Sequence, residues 1–149
     1  MREAKATKTR FCDPYRRVGD KYRTNLPLKR GDGRSGVYLI KDKADGKIVY
    51  VGFSNGNLYD TLYRHFQFWK DISRTCKVRF TYPKEGCLVR IIFTTPSRAS
   101  VLEKWLISRI LPRDNHIKYA SYLSQTQRVR AEETMEDTEL LTKGEDPGF

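Results

Sequence analysis

A chain of 149 residues with 38% hydrophobic and 12% aromatic residues can bury one compact core and carry further segments at its ends. Lys and Arg number 29 against 18 Asp and Glu, a net formal charge of +11; residues 132–149 hold seven acids and one base, which leaves +17 on residues 1–131. No apolar run is long enough for a membrane helix and the first residues are charged, so the expectation is a cytoplasmic protein with no membrane partner. Its basic body repels itself unless it meets a polyanion, nucleic acid before an anionic membrane surface.

Residues 1–34 contain eleven cations, four acids and the breakers Pro14, Pro27, Gly31 and Gly33. They read as a basic arm with little regular structure, docked through Phe11, Tyr15 and Tyr22. The dense part spans residues 35–119. Gly36–Ile40 and Lys47–Phe53 are β-branched and aromatic, and Asp45-Gly46 between them signals a hairpin. A turn centred near Ala44 places Tyr38 opposite Tyr50, with both rings on one face of the sheet.

A helix follows, capped by Asn57 with Asp60 at its third position. Leu58, Leu62, Phe66 and Trp69 form its buried stripe, widened by Tyr59 and Tyr63, and Thr61 and His65 share one edge. Lys77–Tyr82 reads as a short strand and Leu88–Thr95 as a central one. Thr95-Pro96 opens a second helix that Pro112 ends. Residues 120–149 read as a C-terminal helix and an acidic tail. The expected fold is α/β (α+β): a small central antiparallel β-sheet of three to four strands, flanked by helices. Cys12, Cys76 and Cys87 are odd in number and widely spaced, which speaks against a disulfide framework or a zinc site.

On the second helix Ala99, Leu102, Leu106, Ile107 and Ile110 define the apolar face, and at about 100° per residue Glu103 falls inside it. A carboxylate there is costly unless it is paired with a cation or binds a metal. Both readings stand: a marginal Glu bonded to a nearby Arg or Lys, or a hard oxygen ligand suited to Mg²⁺.

Gly36-Val37-Tyr38 followed by Tyr50-Val51-Gly52, with His65 on the next helix, Glu103 on the later one and Asn115 after it, resembles the GIY-YIG nuclease family over about residues 35–116. The resemblance implies a Mg²⁺-dependent DNA endonuclease (Mn²⁺ being the alternative metal) with no small-molecule cofactor. Glu103 would be its metal ligand and Tyr38 or Tyr50 would take a proton from the attacking water. His65 would act as a relay, and Asn115 would support the metal or Glu103. One position departs from the pattern. Thr61 stands where the family carries a catalytic Arg, and Arg64 is the only arginine on that helix; it is assigned to the phosphate, with Arg79, Arg90 and Arg34 next in line. The basic arm and Arg109, Arg113 and Lys118 would hold backbone phosphates, which positions DNA without reading its sequence. A non-cleaving DNA-binding module on the same fold and an RNA-directed nuclease are the alternatives.

Overall fold

The computed structural model describes residues 7–8, 10–66, 82–115 and 131. In chain order these residues form β1 (Thr7–Lys8), the hairpin β2 (Tyr15–Val18) and β3 (Lys21–Thr24), β4 (Gly36–Asp42), β5 (Ile48–Ser54), α1 (Leu58–Tyr63) with a 3₁₀ turn at Arg64–Phe66, β6 (Cys87–Phe93) and α2 (Pro96–Ile110). The main sheet is antiparallel with strand order β1-β6-β4-β5, and β2 and β3 pair separately. The expected architecture, a small antiparallel sheet flanked by helices, is what forms.

Strand alternation sorts the core into two layers. Val37, Leu39, Ile48, Val51 and Ile92 pack beneath Ala99, Leu102, Trp105, Leu106, Ile107 and Ile110 of α2, together with Ala131. Tyr38, Ile40, Val49, Val89, Ile91 and Phe93 face Leu58, Leu62, Tyr63 and Phe66 on the other side. The apolar face read for the second helix is thus the buried one. Thr95 precedes that helix, Pro96 occupies its first turn, and Leu111 closes it in the left-handed region at φ 50° before Pro112.

Several local features differ from the sequence reading. The described residues of the N-terminal arm, 7–8 and 10–34, are built into the fold rather than loosely docked: β1 pairs with β6, Cys12 bridges to Val89, and Leu26 and Leu28 are buried. Gly19, at φ 68°, makes the two-residue turn between β2 and β3. These short pairings are invisible to a search for long apolar periods, because each depends on the surface it docks against. The first helix ends at Tyr63, earlier than its stripe suggests. Asn57 makes no capping bond to the helix backbone; its amide binds the Asp60 carboxylate at 3.2 Å, while Ser54 Oγ accepts from the Asn57 backbone N–H at 2.9 Å. The central strand stops at Phe93, so Thr94 and Thr95 lie outside it. Trp69, Cys76, Arg79, residues 77–81 of the expected short strand, Lys118 and, apart from Ala131, the C-terminal helix and tail lie outside the described residues. Tyr82 is not in a strand.

Candidate functional site

Tyr38 pairs with Gly52 across β4 and β5, and Tyr50 pairs with Ile40. This register is two residues away from the expected Tyr38–Tyr50 opposition; a bulge between Ile40 and Lys41 absorbs one residue of β5. Because the shift is even, the face is preserved. The two rings stack as diagonal neighbours, with centroids 6.1 Å apart and planes 28° from parallel.

Gly52 makes this placement possible. The Tyr38 phenol crosses above it, and a β-carbon on Gly52 would overlap the Tyr38 hydroxyl and Cζ. Gly36 has its own steric reason, since a β-carbon there would overlap the Ile92 carbonyl oxygen. Both tripeptide glycines are therefore places where another group occupies the space of a side chain.

The turn after α1 brings His65 to the two rings. Its centroid lies 4.6 Å from that of Tyr50 and 5.6 Å from that of Tyr38, and Nε2 is 2.9 Å from the Tyr38 hydroxyl. His65 is buried, and its carbonyl accepts from the Tyr82 N–H at 2.6 Å. Tyr82 enters the sequence reading only as the end of a short strand, and not as a site residue. Its ring flanks His65 and Tyr50, with centroids at 6.0 and 6.5 Å, and its hydroxyl donates to Asp114 at 2.7 Å. Asp114 also takes a two-pronged contact from Arg113, at 2.9 and 3.0 Å. A Tyr at the end of a short expected strand carries no signal for a site role, so only the folded chain reveals it.

Glu103 is partly buried within the face of α2. Burial raises its carboxyl from the usual range to about 7, and the neighbouring Lys104 offsets only part of that. Its charge reaches both phenols, although they lie on the opposite face from the α2 core; β5, against which α2 packs, is the edge strand. Burial, then the Tyr50 and Glu103 charges, pushes Tyr38 well above the ordinary phenol range. Tyr50 is raised by burial and then by Glu103, and its hydrogen bond with Tyr38 works in the other direction. The two tyrosines also differ in access: Tyr38 is 1% exposed, whereas Tyr50 is only partly buried.

The remaining expected site residues are placed as follows. Asn115 lies beside β5, where its side-chain amide donates to the Val51 carbonyl at 2.8 Å and accepts from the Val51 N–H at 2.7 Å. Both ends of the amide are thus engaged on the strand between Tyr50 and Gly52, one residue after Asp114, whose own N–H reaches the Val49 carbonyl at 3.0 Å. Arg64 is partly exposed on the 3₁₀ turn next to His65 and forms no ion pair with the described residues. Arg90 is fully buried opposite Leu39, on the α2 side of the sheet and away from the tyrosines. Arg34 stacks over Phe93 at 3.9 Å. Arg109 lies over the Trp105 ring at 5.4 Å.

Among the described residues no three His, Cys, Asp or Glu side chains cluster as a cage for a metal ion, and Cys12 and Cys87 are free thiols. Among the described residues Glu103 is the carboxylate whose charge raises both phenols. A single carboxylate matches a hard cation that keeps most of its waters, and does not match a zinc cage. No helix among the described residues is long and apolar enough to cross a membrane. No protein-family model, curated protein or solved structure matches this chain.

Proposed function

We propose that this protein is a metal-dependent DNA endonuclease with a GIY-YIG-type site. The observation that carries the reading is the Tyr38–His65 hydrogen bond at 2.9 Å, with Tyr50 stacked on Tyr38 and the charge of Glu103 acting on both phenols. The basic charge supplies the reason to choose a polyphosphate as substrate.

The arrangement assigns the two tyrosines different tasks. Tyr50 is the phenol that a substrate-bound water can touch, and Tyr38 is sealed behind it. Phenols raised by burial keep their protons at neutral pH, so neither offers a phenolate base on its own. A relay removes the difficulty: Tyr50 accepts the water's proton as its own proton passes to Tyr38, and Tyr38 passes one to His65. For that transfer Nε2 is the unprotonated nitrogen of a neutral imidazole. The water oxygen attacks phosphorus and the bond to the 3′ oxygen breaks.

Glu103 would hold Mg²⁺ or Mn²⁺, which supplies charge neutralisation at the phosphate and leaving oxygen. Neutralising Glu103 would also remove its contribution to the raised phenols. Arg64, one residue from His65 and partly exposed, is assigned to the non-bridging oxygens in place of the arginine missing at Thr61.

The test is nicking of supercoiled plasmid, with total RNA in parallel, in Mg²⁺ and in EDTA. Metal-dependent nicking that Glu103→Gln abolishes is the expected result. Duplex binding without nicking under every condition favours a non-cleaving binding module, for which Thr61 is the specific support. Degradation of RNA alone moves the substrate class.

A further inference from the structure

The hairpin β2–β3 has two unlike faces. Tyr15, Arg17, Tyr22 and Thr24 share one face, which is docked. The Tyr15 ring lies 5.2 Å from Tyr63 and 5.8 Å from Phe66, edge-on to both, and Arg17 pairs with Glu85 at 3.4 Å. At the hairpin's base the Asn25 N–H and side-chain amide bind the carbonyls of Pro14 and Asp13 at 3.0 and 2.9 Å. The other face carries Arg16, Val18, Lys21 and Arg23, all exposed. Arg16 and Arg23 stand directly opposite each other across the strands. Arg16, Lys21 and Arg23 form no ion pair with the described residues.

Like charges placed in register on a two-stranded ribbon destabilise it. A fixed hairpin that keeps such a pair, with Asp20 of its turn the one acid within the hairpin and no ion pair to Arg16, Lys21 or Arg23 among the described residues, is complementary to a polyanion rather than to solvent. Its position adds to the argument. Ring contacts run from Tyr22 to Tyr15, to Phe66, to Tyr82, and from there to Tyr50 and His65, at centroid distances of 5.8 to 6.5 Å. Lys84 lies about 5 Å over both Tyr15 and Tyr22, a further cation between hairpin and site.

We propose that the outward face of β2–β3 is a phosphate clamp, in which Arg16, Lys21 and Arg23 grip the backbone of duplex DNA flanking the tyrosine–histidine site. The clamp rests on the nucleic-acid part of the functional reading and not on cleavage. It binds charge without reading bases, as contacts confined to backbone phosphate do.

The experiment is fluorescence anisotropy of a labelled duplex in EDTA, across a salt series, with the full chain. Arg16→Gln/Lys21→Gln/Arg23→Gln is compared with wild type and with Lys47→Gln, which removes an exposed cation from the β4–β5 turn. The triple variant is expected to lower the slope of log affinity against log salt by about 2–3, at roughly 0.9 per phosphate contact. The advantage of wild type then shrinks about fortyfold between roughly 50 and 200 mM salt. A change no greater than three times that of Lys47→Gln is a net-charge effect and overturns the clamp. So does hairpin-dependent binding to phosphatidylserine vesicles with duplex binding unaffected, which would make the surface a membrane contact. If the triple variant melts below wild type, the single variants Arg16→Gln and Arg23→Gln replace it, each expected to remove about 0.9 from the slope. Because the assay excludes metal it reads the clamp alone, so a failure of the separate plasmid test in Mg²⁺ would refute the nuclease and leave the clamp standing.

Discussion

The phenol of Tyr38 lies across the bare α-carbon of Gly52, its directly paired residue on β5, so that the ring occupies the space a side chain would fill. The glycine of the second tripeptide is thus an answer to the tyrosine of the first. Gly52→Ala must displace that ring or the strand, and overpacking of this kind costs about 1–3 kcal/mol. Cleavage should fall much further than stability, since the Tyr38–His65 bond depends on the ring position. Urea unfolding beside plasmid nicking checks this; equal stability and equal nicking would show that the ring has room elsewhere.

Tyr50→Phe is expected to abolish most nicking without weakening duplex binding, because the partly buried Tyr50, rather than the sealed Tyr38, is the phenol a water can reach. Tyr38→Phe breaks the relay one step later and should be similarly inactive. A double-variant comparison is the discriminating measurement. If His65 is the terminal acceptor, His65→Gln should lose as much single-turnover nicking as Tyr38→Phe and the double variant no more than either; fully additive losses rule out the relay.

Glu103 makes folding depend on pH in a defined direction. Its folded carboxyl titrates near 7, above the unfolded value of 4.5. Between those limits the folded state holds the proton that the unfolded state has lost, so wild-type stability declines as pH rises from about 4.5 to 7. Glu103→Gln lacks this decline. After allowance for partial exposure, the variant should be more stable than wild type by about 1–2 kcal/mol at pH 8 and equal to it near pH 4. Mg²⁺ should raise the melting temperature of wild type at pH 8, less at pH 6 where a proton competes, and not at all in Glu103→Gln. Equal Mg²⁺ response in the two proteins would remove Glu103 as the ligand.

Asn115 holds both backbone groups of Val51, and Asn115→Ala should cost about 1–3 kcal/mol by leaving them without their partner. Asn115→Asp keeps the acceptor and loses the donor, so it should fall between the two. Nicking should track the folded fraction in both variants if the residue acts through the strand. Loss of nicking in a fully folded Asn115→Asp would instead give the side chain a part in the reaction.

Arg64→Ala should raise the barrier to cleavage by about 2–4 kcal/mol, with Arg64→Lys recovering only part because it lacks the planar fork. Normal cleavage by Arg64→Ala would transfer the task to another cation. Arg113, held by Asp114 beside Tyr82, would be tested next, and Arg90 is excluded by its burial on the other face.

Composition and the Asp45-Gly46 turn signal marked the central hairpin, whose strands are buried on both faces, and the 3.6-residue repeat marked the two helices and the apolar face of α2, because burial on one side imposes it. That repeat also singled out Glu103, since a carboxylate inside an apolar stripe breaks the pattern that surrounds it. The sequence placed Tyr38 and Tyr50 on one face even with the register read two residues out, because parity survives an even shift. Tertiary structure alone decided the rest. The bulge at Ile40/Lys41 set which residues pair, packing sealed Tyr38 and left Tyr50 accessible, and folding brought Tyr82 and Asp114 to His65. The N-terminal hairpin likewise became ordered by docking on Tyr63 and Phe66, so removing residues 1–34 would strip the core of Leu26 and Leu28 as well as cations. These features depend on contacts between segments far apart in the chain, and no local pattern of residue types records which distant surface a side chain will meet.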